Sequence, residues 1–454
     1  MENDIICAIA TGVTDGAISI IRVSGKGSIK ICNKFFYPLK KDFKLSIEAH
    51  QTITTGKIYS GNYFIDKVMI AVFRSPESYT GEESIEIYCH ASSYICSSII
   101  NLLIDNGVRV AKPGEFTRRA FLNSKIDLTQ AEAVADLIAS NSQASHKIAI
   151  SGMRGNFSKE LSQIRENLLK FTSLIELELD FSEEDVQFAD RTELTNLINN
   201  IIERIKILRN SFKIGNSIKN GIPVVIAGEP NVGKSTLLNV LLEDEFAIVS
   251  EIPGTTRDTL EDTISIEGIL FRFIDTAGIR NTFDTIEKLG IKRTFDKIEK
   301  AEVVLYILDI NSENYINQIE EFSKKYSGKK IIFVLNKSDI KNSISNEVNI
   351  NYPHVLISAK NKKGIENLKN ILLETINYRS ISETSLVANA RHYDLLTNAE
   401  DALCRVKRNI AEKISGEFIS QDIHIAMKHL GEITGEITND EVLGNIFKNF
   451  CIGK

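Results

Sequence analysis

The amino-acid sequence of 454 residues predicts a multidomain protein that combines α/β and all-α parts. Three observations predict this fold class: apolar strand patterns before about residue 120, a β-branched run that enters a glycine loop near residue 228, and helical stripes on both sides of that loop. Because the helical pattern stops and later resumes, the simplest arrangement inserts an α/β module into a helical domain. The expected domains are therefore 1–120, 121–217, 218–380 and 381–454.

The composition fits an ordinary soluble protein and argues against several classes. Apolar residues make up 43% and charged residues 25% of the chain. No purely apolar run reaches transmembrane length and no signal peptide is evident, so we expect a cytoplasmic protein without a membrane segment. A net charge of −6 argues against strong non-specific binding of nucleic acid, although it leaves room for a local basic patch. The six scattered cysteines are expected as free thiols.

The first 120 residues predict a mixed α and β module. Strand patterns occupy 17–23, 68–73 and 84–90, and a helix is expected over 91–106. His90 stands beside Cys89, but no further metal ligands stand at metal-binding spacing. We therefore expect a core histidine at a strand end and not a metal site.

The stretch 224–239 predicts a P-loop. Gly228 to Ser235 have the spacing G-x-x-x-x-G-K-S between a β-branched run and the start of a helical pattern. The glycines let backbone amides approach a phosphate at the helix N-terminus. Lys234 would then reach the β- and γ-phosphates, and Ser235 would place its hydroxyl on Mg²⁺.

Three further segments point to guanine as the base. The strand pattern 270–274 ends in 275–278 (DTAG), which can hold Mg²⁺ through water and face a γ-phosphate. The strand pattern 331–335 ends in 336–339 (NKSD), where the carboxylate of Asp339 can accept two guanine protons that adenine does not offer. A third strand pattern precedes 358–360 (SAK), which would close over the base, and all the boxes together resemble the Ras-like translation-factor GTPases. The residues expected to contact GTP in these boxes are Asn231, Val232, Gly233, Lys234, Ser235, Thr236, Asp275, Thr276, Ala277, Gly278, Asn336, Lys337, Asp339, Ser358, Ala359 and Lys360.

Helical spacing dominates on either side of the α/β module. Such stripes are typical of the core faces of long helices. The apolar positions at intervals of three and four are Leu161, Ile164, Leu168, Phe171 and Ile175, then Leu194, Ile198, Ile201, Ile205 and Leu208, and finally Leu396, Ala399, Leu403, Val406 and Ile410.

Two further stretches carry a resemblance to a known family. One is 113–123 (PGEFTRRAFLN), which continues through 125–133, and the other is the chain end 450–454 (FCIGK). With the inserted GTPase module, and with 78–83 and 430–435 in support, they resemble the MnmE (TrmE) family of tRNA modification GTPases over the full length. This family belongs to the wider group of TrmE-Era-EngA-YihA-Septin-like GTPases.

The resemblance implies an N-terminal α+β folate-binding-like domain that dimerises, a central helical domain, and an inserted Ras-like P-loop GTPase domain. It implies a bound 5,10-methylene- or 5-formyl-tetrahydrofolate, with Arg22, Glu86, Lys125 and Lys454 as contacts. The sequence departs from the family at Ala91-Ser92, which replaces two glycines, and at Ser124, where glycine is common.

The resemblance also implies GTP hydrolysis activated by potassium-dependent dimerisation of G domains. Ile279 stands where Ras-type enzymes carry the glutamine that orients the attacking water, so another polar group must orient it. The resemblance implies that Glu287 is this catalytic group. The K⁺ ligands would be Asn231, Ser250, Ile252 and Thr255, and Mg²⁺ would be held by Ser235 and Thr256. The loop expected to contact GTP comprises Ser250, Glu251, Ile252, Pro253, Gly254, Thr255 and Thr256.

The implied partners are a second copy of the chain, tRNA, and the FAD protein MnmG (GidA) in a heterotetramer or larger complex. Together they would add an aminomethyl or carboxymethylaminomethyl group to C5 of wobble uridine 34 in certain tRNAs. A ribosome-assembly GTPase of the Era or Der type is the alternative, but it would need an RNA-binding domain after the G domain. A bare signalling GTPase would leave about two-thirds of the chain unexplained.

Overall fold

The structure is a computed structural model that describes residues 4–12, 16–39, 45, 51–180, 190–243, 262–274, 298–340, 350–376, 386–448 and 450–453. The chain forms two compact units. The first comprises Met1–Ala135, Gly152–Ile202 and Asn398–Lys454, and the second comprises Asp136–Ser151 and Glu203–Thr397. The domain boundaries near residues 120, 217 and 380 stay a prediction.

A seven-stranded sheet forms the N-terminal part of the first unit. Its strands are β1 (Ile6–Ile9), β2 (Ile18–Ser24), β3 (Phe36–Pro38), β4 (Ile53–Ser60), β5 (Tyr63–Phe73), β6 (Ser84–His90) and β7 (Arg109–Val110). The spatial order is β3-β4-β5-β6-β2-β1-β7, and all neighbours are antiparallel except β1 and β7. The strand patterns predicted at 17–23, 68–73 and 84–90 are confirmed as β2, the second half of β5, and β6.

The helices complete both units. In chain order they are α1 (Ser28–Cys32), α2 (Ser93–Asp105), α3 (Glu115–Leu122), α4 (Leu128–Ala139), α5 (Gln143–Met153), α6 (Asn156–Asp180), α7 (Arg191–Asn220), α8 (Lys234–Glu243), α9 (Tyr315–Lys325), α10 (Ile365–Thr375), α11 (Ala390–Ala411), α12 (Gly416–Thr434) and α13 (Asp440–Phe447). None of the helices in the described ranges combines the length and apolarity that crossing a membrane requires.

Alternation along the strands decides which face of the first sheet is buried. Ile85, Ile87 and Cys89 of β6 point to one face and share a core with Ile99 of α2 and Ile29 of α1. A strand whose alternate residues are apolar buries one face because successive side chains point to opposite sides. The opposite face of β6 carries the polar residues discussed below.

His90 lies at the end of β6, but it is not a core residue. Its Nδ1 is 2.8 Å from Oδ1 of Asp66, and 68% of its side chain is exposed whereas 8% of the Asp66 side chain is. The predicted core position is therefore wrong, because the buried carboxylate holds the imidazole ring at the surface. Among the described residues, no group of three or more metal-ligating side chains occurs.

The predicted helical stripes form the core faces of three long helices, α6, α7 and α11. Thirteen of their fifteen positions are buried, whereas Phe171 and Ile410 are half-buried. Residues at spacings of three and four lie on one side of a helix, so a single stripe can be covered by neighbouring helices. The helical interpretation of these segments is thus confirmed.

The second unit contains a six-stranded sheet. Its strands are β8 (Ile222–Ala227), β9 (Asp262–Ile266), β10 (Ile269–Phe273), β11 (Val303–Asp309), β12 (Lys330–Asn336) and β13 (His354–Leu356). Their order is β13-β12-β11-β8-β10-β9, and only the pairing of β9 with β10 is antiparallel. In such a sheet ligands bind beyond the carboxyl ends of the parallel strands. The P-loop follows β8 there, and the segment 336–339 follows β12.

Candidate functional site

Both glycines of the P-loop are required by the backbone around them. Gly228 has a φ of +145°, and a Cβ at this position would lie 2.3 Å from the carbonyl oxygen of Ile307. Gly233 has a φ of +103°, and a Cβ there would lie 2.3 Å from Nδ2 of Asn336. No other residue type fits either position. The loop therefore stays close to its neighbours, and the amides of the first turn of α8 remain available to an anion.

The side chains of Lys234 and Asn231 in the P-loop differ in their hydrogen bonding. Lys234 Nζ donates to the carbonyl oxygens of Gly228 at 2.9 Å and Glu229 at 2.6 Å. Burial lowers the pKa of Lys234, and the nearby charge of Glu229 only partly offsets this effect. Asn231 has a left-handed φ of +63°, and its exposed side chain makes no hydrogen bond within the described ranges. The loop thus combines an ammonium group with an amide oxygen that is free to bind a ligand.

Asn336 ties three predicted segments together. Its Nδ2 donates to the carbonyl oxygen of Val232 at 2.8 Å, and its Oδ1 accepts from the amide of Ala359 at 3.0 Å. The side chain is only 3% exposed, so these bonds lie in a low-dielectric environment where an unpaired amide would be costly. A single buried amide therefore fixes the P-loop, the segment 336–339 and the segment 358–360 at one edge of the sheet.

Asp339 is an exposed carboxylate that is oriented by a hydrogen bond to one of its oxygens. Its Oδ1 accepts from the hydroxyl of Ser358 at 2.6 Å, and this bond, with the charges of Lys360 and Lys363, lowers the pKa of Asp339. Ser358 is fully buried, so its hydroxyl is held in place. The carboxylate is thus ionised at neutral pH and can accept two hydrogen bonds from a planar base.

Sequence reasoning missed one polar group at this edge. Asp309 ends β11, where it is the register partner of Asn336, and its Oδ2 is 2.7 Å from Nζ of Lys337. No sequence motif contains Asp309, and its partner is 28 residues away. The signal that could have found it is the apolar run 303–308, which predicts a buried strand that ends at an acid.

Several predicted site residues lie outside the described part of the chain. They are Ser250, Glu251, Ile252, Pro253, Gly254, Thr255, Thr256, Asp275, Thr276, Ala277, Gly278, Glu287 and Lys454. Ile279 lies outside it as well. Among the expected Mg²⁺ and K⁺ ligands, Ser235 at the start of α8 and Asn231 in the loop are described.

The structure brings together two of the residues expected to bind folate. Nε and Nη2 of Arg22 donate to Oε1 of Glu86 at 3.0 and 2.9 Å, and the hydroxyl of Tyr88 donates to Oε2 at 2.9 Å. The guanidinium lies 5.3 Å from the ring centre of Tyr79. Lys125 is engaged elsewhere, since its Nζ donates to the carbonyl oxygen of Pro76 at 3.0 Å. Glu86 and Arg22 therefore act as one neutral pair and not as two separate charges.

The charged residues of the stretch 113–123 are used internally. Glu115 is only 3% exposed and accepts from Arg109, from Arg119 and from the amide of Lys112. Burial would raise the pKa of Glu115, but the hydrogen bonds from Arg109, Lys112 and Arg119 outweigh it and lower the pKa. Arg119, itself 5% exposed, also donates to the side chain and backbone of Asp4. These contacts make the stretch a buried ion network.

The two stretches that carry the family resemblance meet in the first unit. The amide of Gly114 donates to the carbonyl oxygen of Cys451 at 3.3 Å. A Cβ on Gly114 would lie 2.7 Å from the carbonyl oxygen of Phe447, and one on Gly453 would lie 2.3 Å from that of Ile9. Residues 450–453 therefore pack against the turn before α3 and against β1, while the side chain of Cys451 stays exposed.

The sheet order, the glycine loop after β8 and the turn after β12 that carries Asp339 define the second unit as a P-loop GTPase domain. Comparison with known proteins agrees with this class. The family model described as the MnmE helical domain matches residues 128–451, and that described as the GTP-binding protein TrmE N-terminus matches residues 5–125.

Curated relatives match over the whole length. The tRNA modification GTPases MnmE of Bacteroides fragilis and of Bacteroides thetaiotaomicron are each 52% identical over 468 aligned residues, and that of Flavobacterium johnsoniae is 51% identical over 466. Each alignment covers 100% of this chain and 100% of the relative. The chain belongs to the MnmE family of tRNA modification GTPases.

Proposed function

We propose that this chain hydrolyses GTP and uses the hydrolysis in the modification of tRNA. The observation that carries the proposal is the bonding of Asn336, which holds a phosphate-type loop and a base-type carboxylate at one sheet edge. The distance between the two segments is thereby fixed before a nucleotide arrives, so little ordering entropy remains to be lost on binding. The tRNA role rests on the family, whose curated members carry that name.

Ser235 and Asn231 fit the two cations that the family implies. Ser235 follows Lys234 at the start of α8, where its hydroxyl suits Mg²⁺ bound to the phosphates. The exposed amide of Asn231 makes no hydrogen bond to another described residue, and its oxygen suits a weakly hydrated cation such as K⁺. Ser250, Ile252 and Thr255 would complete the K⁺ site and Thr256 the Mg²⁺ site. A cation held by these residues would supply charge stabilisation at the phosphates.

Glu287 is proposed as the group that orients the attacking water, because the isoleucine at position 279 cannot bind water. Glu287→Ala should retain GTP affinity and slow hydrolysis by ~10²-fold or more. Glu287→Gln is the matched variant, since it keeps the size of the side chain and loses its basicity. Unchanged turnover in both variants would remove Glu287 from the mechanism.

The cation proposal is tested by exchanging Na⁺ for K⁺ at fixed ionic strength, so that general screening stays constant. Turnover of GTP should rise strongly in K⁺, and Asn231→Ala should lose this rise while still binding GTP through Lys234 and the loop amides. Identical turnover of the parent protein in the two salts would contradict a K⁺ site.

For the first unit we propose a tetrahydrofolate site that includes the Arg22–Glu86 pair, with Lys125 and Lys454 as further contacts. The pair can turn its remaining donors and acceptors toward a pterin ring. We further propose that two copies of the chain dimerise and work with the FAD protein MnmG. The transferred one-carbon unit would end on C5 of the wobble uridine of tRNA.

This part of the proposal is tested by incubating the full-length chain with its flavin partner, tRNA that lacks the wobble modification, GTP, methylene-tetrahydrofolate as the source of the carbon, and ammonium as the source of the nitrogen. Mass spectrometry of the nucleosides should detect a new aminomethyl-type uridine at the wobble position. If GTP is hydrolysed at the normal rate in the complete mixture but the wobble uridine stays unmodified, the proposed role in tRNA modification is contradicted. The proposed GTPase activity would still stand.

A further inference from the structure

Asp309 occupies a position beside the predicted base-reading turn. The parallel strands β11 and β12 end together, with Asp309 opposite Asn336, and the amide of Ile310 donates to the carbonyl oxygen of Asn336 at 3.1 Å. Adjacent parallel strands lie about 4.8 Å apart, so a side chain at the end of one strand reaches the turn that follows the other. Asp309 is thereby placed against Lys337.

The carboxylate of Asp309 is bonded on both oxygens. Oδ2 accepts from Lys337 Nζ at 2.7 Å, while Oδ1 accepts from the backbone amide of Asn311 at 3.0 Å and from its Nδ2 at 2.9 Å. The same Nδ2 lies 3.4 Å from the carbonyl oxygen of Lys337. Asp309 therefore holds the side chain of Lys337 directly, and Asn311, which is itself bonded to Asp309, meets the backbone of Lys337 at the limit of hydrogen-bond distance.

Lys337 is the residue at which the turn changes direction. Its φ is +67°, a left-handed conformation that is costly for a residue with a side chain. On its N-terminal side Asn336 is fixed to the P-loop, and on its C-terminal side the amide of Ser338 donates to the carbonyl oxygen of Ile357 at 3.2 Å. The strained residue thus decides the direction in which Asp339 leaves the sheet.

We propose that Asp309 is a positioning residue for guanine recognition: it holds Lys337 in the left-handed turn, and the turn presents Asp339 to the base. Asp309 need not touch the nucleotide in this role. The inference rests on the proposed GTPase function and deepens it by naming what preorganises the base end of the site.

The proposal predicts that loss of the Asp309 carboxylate weakens recognition of the guanine base and has little effect on the contacts with the phosphates. Asp309→Asn replaces the acceptor of Lys337 Nζ with an amide and should raise the Kd for GDP about 10-fold. It should raise KM for GTP similarly, whereas kcat should change less than about 2-fold because the P-loop contacts remain. The ratio of affinities for GDP and inosine diphosphate should fall, since inosine lacks the amino group that Asp339 would read.

The chain offers a matched control at the other end of the same two strands. Glu302 precedes β11 and Lys330 begins β12, and their charged groups are 3.4 Å apart. Glu302→Gln is the same carboxylate-to-amide change across the same strand pair, but at the edge away from the nucleotide. It should leave both the Kd for GDP and the GDP-to-inosine-diphosphate ratio unchanged.

The measurements use the full-length protein and fluorescently labelled GDP, with competition by unlabelled GDP and inosine diphosphate. Asp309→Glu, which keeps the charge, should restore part of the affinity. Asn311→Ala should shift the same ratio in the same direction by a smaller factor, and it serves as the test if Asp309→Asn does not fold.

The outcomes separate the inference from the function on which it rests. Parent protein that binds and hydrolyses GTP, together with an unchanged GDP-to-inosine-diphosphate ratio in Asp309→Asn and Asn311→Ala, would overturn the positioning role and leave the GTPase intact. A Kd that rises equally for both nucleotides would also overturn it, because that result indicates general damage. Parent protein without affinity for guanine nucleotides would overturn both.

Discussion

Two stretches with strong sequence signatures use their charges in opposite ways. In 113–123 the carboxylate of Glu115 is buried and its bonds go to Arg109, Arg119 and a backbone amide. At 336–339 the carboxylate of Asp339 is exposed, although its Oδ1 accepts from the hydroxyl of Ser358. The charge of Glu115 therefore contributes to holding the fold together, whereas the charge of Asp339 is accessible to a ligand. The strength of a sequence motif therefore does not tell whether it is structural or functional, whereas the bonding of its charges does.

The largest expected effect comes from breaking the internal network. Glu115→Ala leaves the charges of Arg109 and Arg119 without their buried partner, and should destabilise the first unit by about 3–5 kcal/mol. Because the chain contains no tryptophan, urea unfolding would be followed by far-UV circular dichroism. GTP affinity, measured in the absence of urea, should be unaffected.

Glu366→Ala is the control for that experiment. Glu366 lies in α10, pairs with Lys369, and has 79% of its side chain exposed. Because the carboxylate of Glu366 is largely solvated, its pair with Lys369 contributes little, and the change should stay below about 0.5 kcal/mol. Equal destabilisation by the two substitutions would mean that the Glu115 network carries no special stability.

A smaller effect is expected at Ser124, just after the same stretch. Ser124 has a φ of +56°, a left-handed conformation that favours glycine. Ser124→Gly should stabilise the first unit by about 0.5 kcal/mol, because relief of the left-handed strain exceeds the added entropy of the unfolded chain. Ser124→Ala keeps the strain and should be close to neutral; a gain as large as that of glycine would show that the backbone is not the cause.

Much of the fold could be predicted because it depends on local periodicity. The alternation in β6 and the stripes of α6, α7 and α11 appear directly in the sequence and in the buried faces. His90 was misplaced because its partner, Asp66, is distant in sequence and no pattern connects them. The core position of His90 was predicted from its place at a strand end, without knowledge of its partner. In the structure, the buried carboxylate of Asp66 holds the histidine ring at the surface.

The candidate site was predictable where a motif fixes the spacing, and not where tertiary contacts select the residue. The glycines at 228 and 233 follow from the motif. The structure shows why glycine is required, because a Cβ at either position would lie 2.3 Å from a neighbouring atom. Asp309 could not be found in this way, because only the pairing of β11 with β12 brings it to Lys337. Nor could the sequence reveal that Arg22 and Glu86 neutralise each other.

The claim that 336–339 reads guanine is tested most directly by Asp339→Asn. The amide reverses one hydrogen bond, so affinity for GTP should fall by about 10²-fold while affinity for xanthosine triphosphate rises. Urea unfolding should be nearly unchanged, in contrast to Glu115→Ala, because the side chain at position 339 is exposed and the amide oxygen of asparagine can still accept from Ser358. A variant that binds GTP as tightly as the parent would contradict the account, since another segment would then have to recognise the base.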